Sequence, residues 1–319
     1  MNNPQTPIVY LVIPCYNEEE VLPEAIKQLT EKMQALTGNS TISYDSRVLL
    51  VDDGSKDKTW ELIEHYHLMN DYVCGLKLSR NRGHQNALLA GLMHAKDLCD
   101  CAISLDADLQ DDINAIDGFI EKFCDGCDVV YGVRNARTTD TVFKRSTARG
   151  FYTVMKKLGV DIVYDHADYR LMSKRALMAL EEYSEVNLFL RGIVPLIGFR
   201  SDYVYYDRNE RFAGESKYPL KKMLNFAIDG ITSFSVKPLK IISNVGLLIS
   251  FLSILGLLYA LISFFTGHTV AGWTATICSI WLLGGIQLLC IGVVGEYIGK
   301  IYAEVKRRPR FIIDEFLKK

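Results

Sequence analysis

The sequence predicts an α/β protein built on a mostly parallel sheet with helices on both faces, followed by a membrane-associated C-terminal region. Three observations carry that expectation. Short apolar, β-rich runs alternate with helical patterns from Ile8 to Tyr131. Each apolar run stops at a polar cluster. Two long uncharged runs then lie near the C-terminus. Alternation of strand and helix makes successive strands parallel and lets helices cover both faces.

The elements follow in order. Ile8–Ile13 (I-V-Y-L-V-I) is a strand ended by Pro14. From Glu18 to Leu36, Val21, Leu22, Ile26, Leu29 and Met33 recur on one helical face. Arg47–Val51 is the second strand and Asp57–Met69 the second helix. Val73–Leu78 is a weaker strand, and His84–Lys96 is an Ala/Leu-rich helix. Cys101–Leu105 is the fourth strand, Ile113–Phe123 the next helix, and Asp128–Tyr131 (D-V-V-Y) the fifth strand.

Ligands of such sheets bind beyond the carboxyl ends of the strands. The polar clusters sit there: P-C-Y-N-E, D-D-G-S, S-R-N-R-G-H, D-A-D-L-Q and G-V-R, one after each strand. Their convergence on one edge reads as a binding site. The stretch Ser104–Asp112 (S-L-D-A-D-L-Q-D-D) has four aspartates in nine residues. Alone it would pass for a solvated acidic turn. At a strand end, Asp106 and Asp108 can turn carboxylates onto a divalent ion, since Mg²⁺ and Mn²⁺ prefer oxygen ligands and bridge carboxylates to substrate phosphates. Asp111 and Asp112 are expected to open the next helix, where acids complement the dipole. No G-x-G-x-x-G follows the first strand and no G-x-x-x-x-G-K-[ST] occurs, which disfavours a dinucleotide fold and a P-loop.

Composition narrows the class further. A formal net charge of −2 argues against a nucleic-acid binder. The eight cysteines form no disulfide framework, and C-x-x-C at Cys124 and Cys127 lacks the second ligand pair of a zinc site. The N-terminus has neither a basic region nor an apolar signal core.

Ile241–Phe265 and Gly272–Gly295 contain no charge, and each exceeds the roughly 20 residues that cross a bilayer. Lys237 and Lys240 precede the first, and Lys300, Lys306, Arg307, Arg308 and Arg310 follow the second. The connection T-G-H-T-V-A-G has no Lys or Arg. The positive-inside rule therefore places both termini in the cytoplasm and the hairpin loop outside. Upstream, Leu220, Leu224, Ala227, Ile231 and Phe234 recur at helical spacing among polar residues, as in an amphipathic helix that lies on a membrane surface or packs on the soluble domain. Gly284, Gly285, Gly292 and Gly295 permit close helix contact, including between copies in a homo-oligomer. The expected organisation is a cytoplasmic α/β domain over 1–218, an amphipathic helix over 219–238, a transmembrane hairpin over 239–299 (spans about 241–265 and 272–297), and a basic tail over 300–319.

The ordered set V-I-P-C-Y-N-E-E, V-D-D-G-S-K-D-K-T, S-R-N-R-G-H-Q-N-A-L, D-A-D-L-Q-D, D-Y-R-L-M and R-x-x-G-E-S-K-Y resembles the inverting glycosyltransferases of family 2, which have the GT-A fold. Within them it looks like the polyprenyl-phosphate glycosyltransferases, the group of dolichol-phosphate mannose synthase and bactoprenol glucosyltransferase. The likeness runs from about Ile8 to Pro309 and includes the tail G-E-Y-I-G-K-I-Y-A-E-V-K-R-R-P.

The resemblance implies a set of roles. Asp106, Asp108 and Gln110 would hold Mg²⁺ or Mn²⁺ on the donor diphosphate. Pro14, Tyr16, Asn17, Glu18, Asp53, Gly83 and Asp106 would bind the nucleotide-sugar, with Asp53 accepting from the base. Arg134, Arg145, Arg149, Arg211 and Lys217 would bind the acceptor phosphate, and Asp168, Arg134 and Arg211 would form the catalytic set. Asp168 matches the position of a proposed base. An acceptor phosphate with a second pKa near 6 is already largely ionised, so Asp168 is read equally well as an orienting group. Where Arg82 stands the family often has an aromatic residue. The implied reaction moves a sugar, first guess glucose from UDP-glucose, to polyprenyl phosphate at the cytoplasmic leaflet for cell-envelope glycan decoration. N-acetylhexosamine and mannose donors stay open. A processive polysaccharide synthase is disfavoured because N-L-F-L-R-G-I-V-P lacks the Trp of Q-x-x-R-W and only two spans follow. A non-catalytic nucleotide-sugar binder is disfavoured because the aspartates and the basic loop are present.

Overall fold

A computed structural model describes residues 6–135, 166–186, 188–207, 235–266 and 272–319. They divide into two compact units. The first holds the described residues up to 135, those between 166 and 207, and 308–319; the second holds 235–266 and 272–307.

The first unit is an eight-stranded sheet in the order β7-β5-β6-β4-β1-β2-β3-β8. Its central parallel block is β1 (Val9–Cys15), β2 (Arg47–Asp52), β3 (Val73–Leu78) and β4 (Cys101–Ser104). Helices α1 (Leu22–Gly38), α2 (Thr59–Met69) and α3 (His84–Ala95) connect them, and α4 (Ala115–Cys124) leads from β4 to β5 (Val129–Arg134). The alternation expected from sequence is present, with boundaries moved by a few residues. Strand β1 passes through Pro14, which pairs in register with Val51 at the strand end, where the missing N–H costs the ladder least.

Three strands lie beyond the five expected. The D-Y-R-L-M segment is inside β6 (His166–Ser173), which runs antiparallel to β4 and β5. Strand β7 (Ser201–Tyr206) pairs parallel with β5 at one edge. Strand β8 (Ile313–Leu317) pairs antiparallel with β3 at the other. Residues 308–319 thus belong to the sheet unit, although their charge pattern groups them in a basic tail. The charged Asp314 and Glu315 within it suit an edge strand, where charges discourage pairing with a further strand. Two short helices, α5 (Lys174–Glu181) and α6 (Leu190–Leu196), follow β6.

The core is continuous across the sheet, with Leu11, Ile13, Leu50, Ile103, Phe119 and Leu171 fully buried. Helix α3 reaches the sheet closely because Gly91 faces it. A Cβ there would stand 2.4 Å from Val12 Cγ1 and 2.7 Å from Val51 Cγ2. That close seat sets the height of the α3 N-terminus over the ends of β1 and β4.

The second unit contains α7 (Lys237–Phe265, 29 residues) and α8 (Trp273–Lys306, 34 residues). Large apolar side chains such as Leu247, Phe251, Leu282 and Leu288 point outward, and Tyr297 Oη donates to the Ser235 carbonyl at 2.6 Å. By length and composition, Leu282–Lys306 is long and apolar enough to cross a membrane; it is one such helix among the described residues. The expected amphipathic helix over 219–238 falls mostly outside the described residues.

Candidate active site

The carboxyl ends of β1 to β4 gather the polar clusters on one edge of the sheet. After β1 the chain turns at Asn17, whose φ of 53° is left-handed. That turn is tied to the loop after β2. Asn17 N donates to Ser55 Oγ at 3.0 Å, Lys56 N donates to Asn17 Oδ1 at 2.8 Å, and Glu18 N donates to Thr59 Oγ1 at 2.9 Å. Gly54 (φ 65°) lies so near the next loop that a Cβ would come within 2.6 Å of Arg80 C and Asn81 N. Tyr16 is exposed just past the end of β1, whose last two residues are Pro14 and Cys15.

Asp53 is buried and turned into the loop after β3. Its two oxygens accept from Arg82 N at 2.6 Å and from Gly83 N at 2.8 Å. Asp53 therefore shapes the S-R-N-R-G-H loop, and Gly83, at φ 86°, is its pivot into α3. This places His84 and Gln85 at the helix start, facing Asp106 and Asp168.

Asp168 is the hub of the site. Its side chain is only 6% exposed. Arg170 Nη2 donates to Oδ1 at 2.6 Å; Arg191 donates to Oδ1 from Nε at 3.2 Å and to Oδ2 from Nη2 at 3.1 Å. Gln85 Nε2 donates to Oδ2 at 3.4 Å, and His84 Nε2 lies 3.6 Å from it. Burial alone would raise this carboxyl. The charge of Arg191, the nearby His84 imidazole and the charge of Arg170 override it and hold Asp168 well below the usual carboxylate range. Burial pulls His84 down, but the neighbouring Asp168 and Asp106 carboxylates outweigh it, so His84 sits above the usual imidazole value.

Asp106 lies on the other side of His84, with Oδ1 3.6 Å from Nε2. Burial pushes its carboxyl upward; His84 opposes this, and Asp168, Asp111 and Asp108 add to it. Asp108 Oδ1 accepts from Gln110 N at 3.2 Å across a turn whose Leu109 has φ 55°. Among the described residues no group of three His, Cys, Asp or Glu forms a ready-made cation cage. The donor set still fits a divalent ion. Two oxygen ligands with excess negative charge around them match Mg²⁺ or Mn²⁺, which take one or two carboxylates and fill the remaining positions with phosphate and water.

The structure revises the reading of Asp111. It is buried, not a helix-opening acid. Oδ1 accepts from Arg134 Nη2 at 2.9 Å and from Tyr206 Oη at 2.7 Å, because the turn after Asp108 folds it back toward β5 and β7 before α4 begins at Ala115. Asp112 does start the following turn, accepting from Asn114 N at 2.9 Å. Arg134, expected on the acceptor phosphate, reaches the same end of the sheet with its guanidinium committed in part to Asp111. Arg145, Arg149, Arg211 and Lys217 lie outside the described residues.

Residues 10–180 match the family described as glycosyl transferase family 2, more than half the chain, and residues 237–301 match the GtrB C-terminal hairpin. The chain belongs to glycosyl transferase family 2. Among its relatives, the uncharacterized glycosyltransferase YkoT of Bacillus subtilis is 58% identical over 308 residues, covering 97% of this chain and 91% of that one. The SfII prophage-derived bactoprenol glucosyl transferase of Shigella flexneri is 39% identical over 307 residues, covering 96% and 97%. Among solved structures, glucosyl-3-phosphoglycerate synthase from Mycobacterium tuberculosis is similar at a TM-score of 0.44 and 16% identity, covering 72% of this chain and 79% of that one. The enzyme is thus a family-2 glycosyltransferase, and its D-A-D stretch, Asp53 loop and Asp168 hub all sit in or beside the matched segment. His84, Gln85, Arg170 and Arg191 had no role assigned from sequence. Of these, His84 was visible as the end of S-R-N-R-G-H; nothing local to Arg191 links it to an aspartate 23 residues earlier.

Proposed function

We propose that this enzyme transfers a sugar, glucose from UDP-glucose as the first candidate, to polyprenyl phosphate at the cytoplasmic face of the membrane, with inversion. The observation that carries the reading is the pairing of the family-2 domain with a GtrB-type hairpin in a chain 39% identical, over nearly its whole length, to bactoprenol glucosyl transferases. The state of Asp168 supports it. An acceptor hydroxyl calls for a general base with a pKa near the working pH. Asp168 is held far below that by two arginines, whereas a lipid phosphate arrives already ionised.

In this reading Asp106 and Asp108, with Gln110, would hold Mg²⁺ or Mn²⁺, and such an ion would supply charge neutralisation for the diphosphate of the donor. Pro14, Tyr16, Asn17 and Glu18 border the nucleotide, while Asp53 acts by fixing the Arg82–Gly83 backbone beside it. Asp168 keeps Arg191 and His84 in place, so that cationic groups face the acceptor phosphate before it arrives. Arg134, with Arg145, Arg149, Arg211 and Lys217, completes the acceptor side. The chemistry is then one in-line displacement aided by positioning and charge neutralisation, with no covalent enzyme intermediate. Helices α7 and α8 form the two membrane spans, with both ends of the hairpin in the cytoplasm.

The test uses full-length purified protein with undecaprenyl phosphate, Mg²⁺ or Mn²⁺ and a panel of UDP- and GDP-sugars. Mass spectrometry would look for a lipid one sugar heavier. UDP-glucose is expected to give it. Product only with another donor would replace the sugar, and binding of UDP without product from any donor would overturn the reaction.

A further inference from the structure

We propose that Arg310, on the segment that follows α8, is a positioning residue that sets the geometry of the Asp168 hub. The proposal rests on the reading of that hub as the acceptor side of the site and assigns what holds it together.

The hub is assembled from two segments that are far apart in sequence. The loop after β3 leads into His84 and Gln85; the stretch between α5 and α6 leads into Leu190 and Arg191. They meet directly, since Leu190 N donates to Gln85 Oε1 at 3.0 Å. Arg170 Nη1 donates to the Leu190 carbonyl at 3.3 Å while its Nη2 holds Asp168. Any shift of one segment against the other would therefore change the donors around Asp168.

The C-terminal segment is attached to both. Beyond the Leu78–Ile313 pair, Ser79 N donates to the Ile312 carbonyl at 3.0 Å, so the β3–β8 ladder continues into the loop that leads to His84. Two residues earlier, Arg310 Nη1 donates to the Tyr183 carbonyl at 3.0 Å and the Glu185 carbonyl at 3.4 Å. Those carbonyls lie on the stretch that delivers Arg191. A single short strap, residues 310–312, thus ties the two segments together. A guanidinium suits this role because its Nη1 carries two N–H donors fixed in the guanidinium plane and can serve both carbonyls with little loss of freedom per bond. A half-buried cation that grips two backbone carbonyls, in a stretch that leads to the site, orders that stretch.

Arg310→Ala removes both bonds and leaves β8 paired; Arg310→Lys keeps a donor within reach. The experiment compares full-length wild type and both variants in detergent by hydrogen–deuterium exchange, thermal unfolding and, with UDP-glucose, Mn²⁺ and undecaprenyl phosphate, steady-state kinetics. Exchange is expected to rise several-fold in peptides covering 183–191 in Arg310→Ala, with β1 and β2 unchanged and Arg310→Lys intermediate. The KM for the lipid should rise about tenfold with the KM for the donor little changed. Unchanged exchange over 183–191 overturns the proposal, as does a uniform rise across the sheet in both variants. The exchange result stands apart from the reaction: if wild type gives no glycolipid yet 183–191 still loosens, the functional reading fails and the positioning role survives.

Discussion

Asp168 accepts from Arg170, Arg191 and Gln85, and that arrangement determines both its chemistry and its energetics. An Asn at this position would turn an amide N–H₂ toward guanidinium donors and leave two cations short of their partner. Asp168→Asn is expected to cost about 3–5 kcal/mol of stability, the usual penalty for breaking a buried ion pair. Because the folded pKa is depressed, the carboxylate contributes stability that is present above its unfolded value near 3.9 and lost as pH falls through the folded one. The difference in unfolding free energy between wild type and variant should therefore grow as pH falls from about 8 to 6, because His84 gains its proton beside Asp168 in wild type, and should shrink only in more acid solution as Asp168 itself is protonated. Thermal or denaturant unfolding in detergent measures it; shrinkage already near pH 6.5 would mean that Asp168 is not held ionised. The Asp111–Arg134 pair offers a second test. Arg134→Gln takes the guanidinium from a buried carboxylate that Tyr206 Oη still contacts and should destabilise by about 3–5 kcal/mol. Adding Asp111→Asn should recover part of that loss, giving a coupling of roughly 0.5–3 kcal/mol in a double-mutant cycle.

Helix α3 is seated closely on the sheet at Gly91. Gly91→Ala would press a methyl group into Val12 and Val51, at 2.4 and 2.7 Å. The expected cost is about 1–3 kcal/mol, the range for overpacking a filled core. Since α3 carries His84 and Gln85, activity should fall further than stability alone accounts for. Unfolding and turnover measured on the same preparation separate the two. The first five strands were legible because each is an apolar run cut off by a polar cluster, and in a parallel sheet those clusters share one edge. Strand β6 was not, because Asp168 and Arg170 are buried charges with partners drawn from elsewhere in the chain, so its local pattern reads as polar. Strand β8 is five residues long and follows a run of basic residues, which masks it. The D-A-D stretch could be read as a metal site from residue type and position. The hub around Asp168 could not, because the partners on α3 and α6 reach it only through the fold.

At the scale of the molecule, the chain joins a sugar-transferring domain to a long apolar hairpin, and β8 returns the polypeptide to the sheet after α8. If α7 and α8 are the two spans, alkaline phosphatase placed after residue 268 should be active and green fluorescent protein at the C-terminus should fluoresce. An inactive phosphatase at 268 would contradict the hairpin topology. The central claim concerns the acceptor: an ionised phosphate that needs no base, held by cations around Asp168 and opposite the Asp106–Asp108 end of β4. The most direct measurement gives the full-length enzyme UDP-glucose and Mn²⁺ with either undecaprenyl phosphate or undecaprenol, alongside Asp108→Asn. The account predicts a lipid one hexose heavier from the phosphate alone, reduced about 100-fold or more in the variant, since the ion it helps hold is worth several kcal/mol of charge stabilisation. Glucosylation of the alcohol, or full activity in Asp108→Asn, would contradict it.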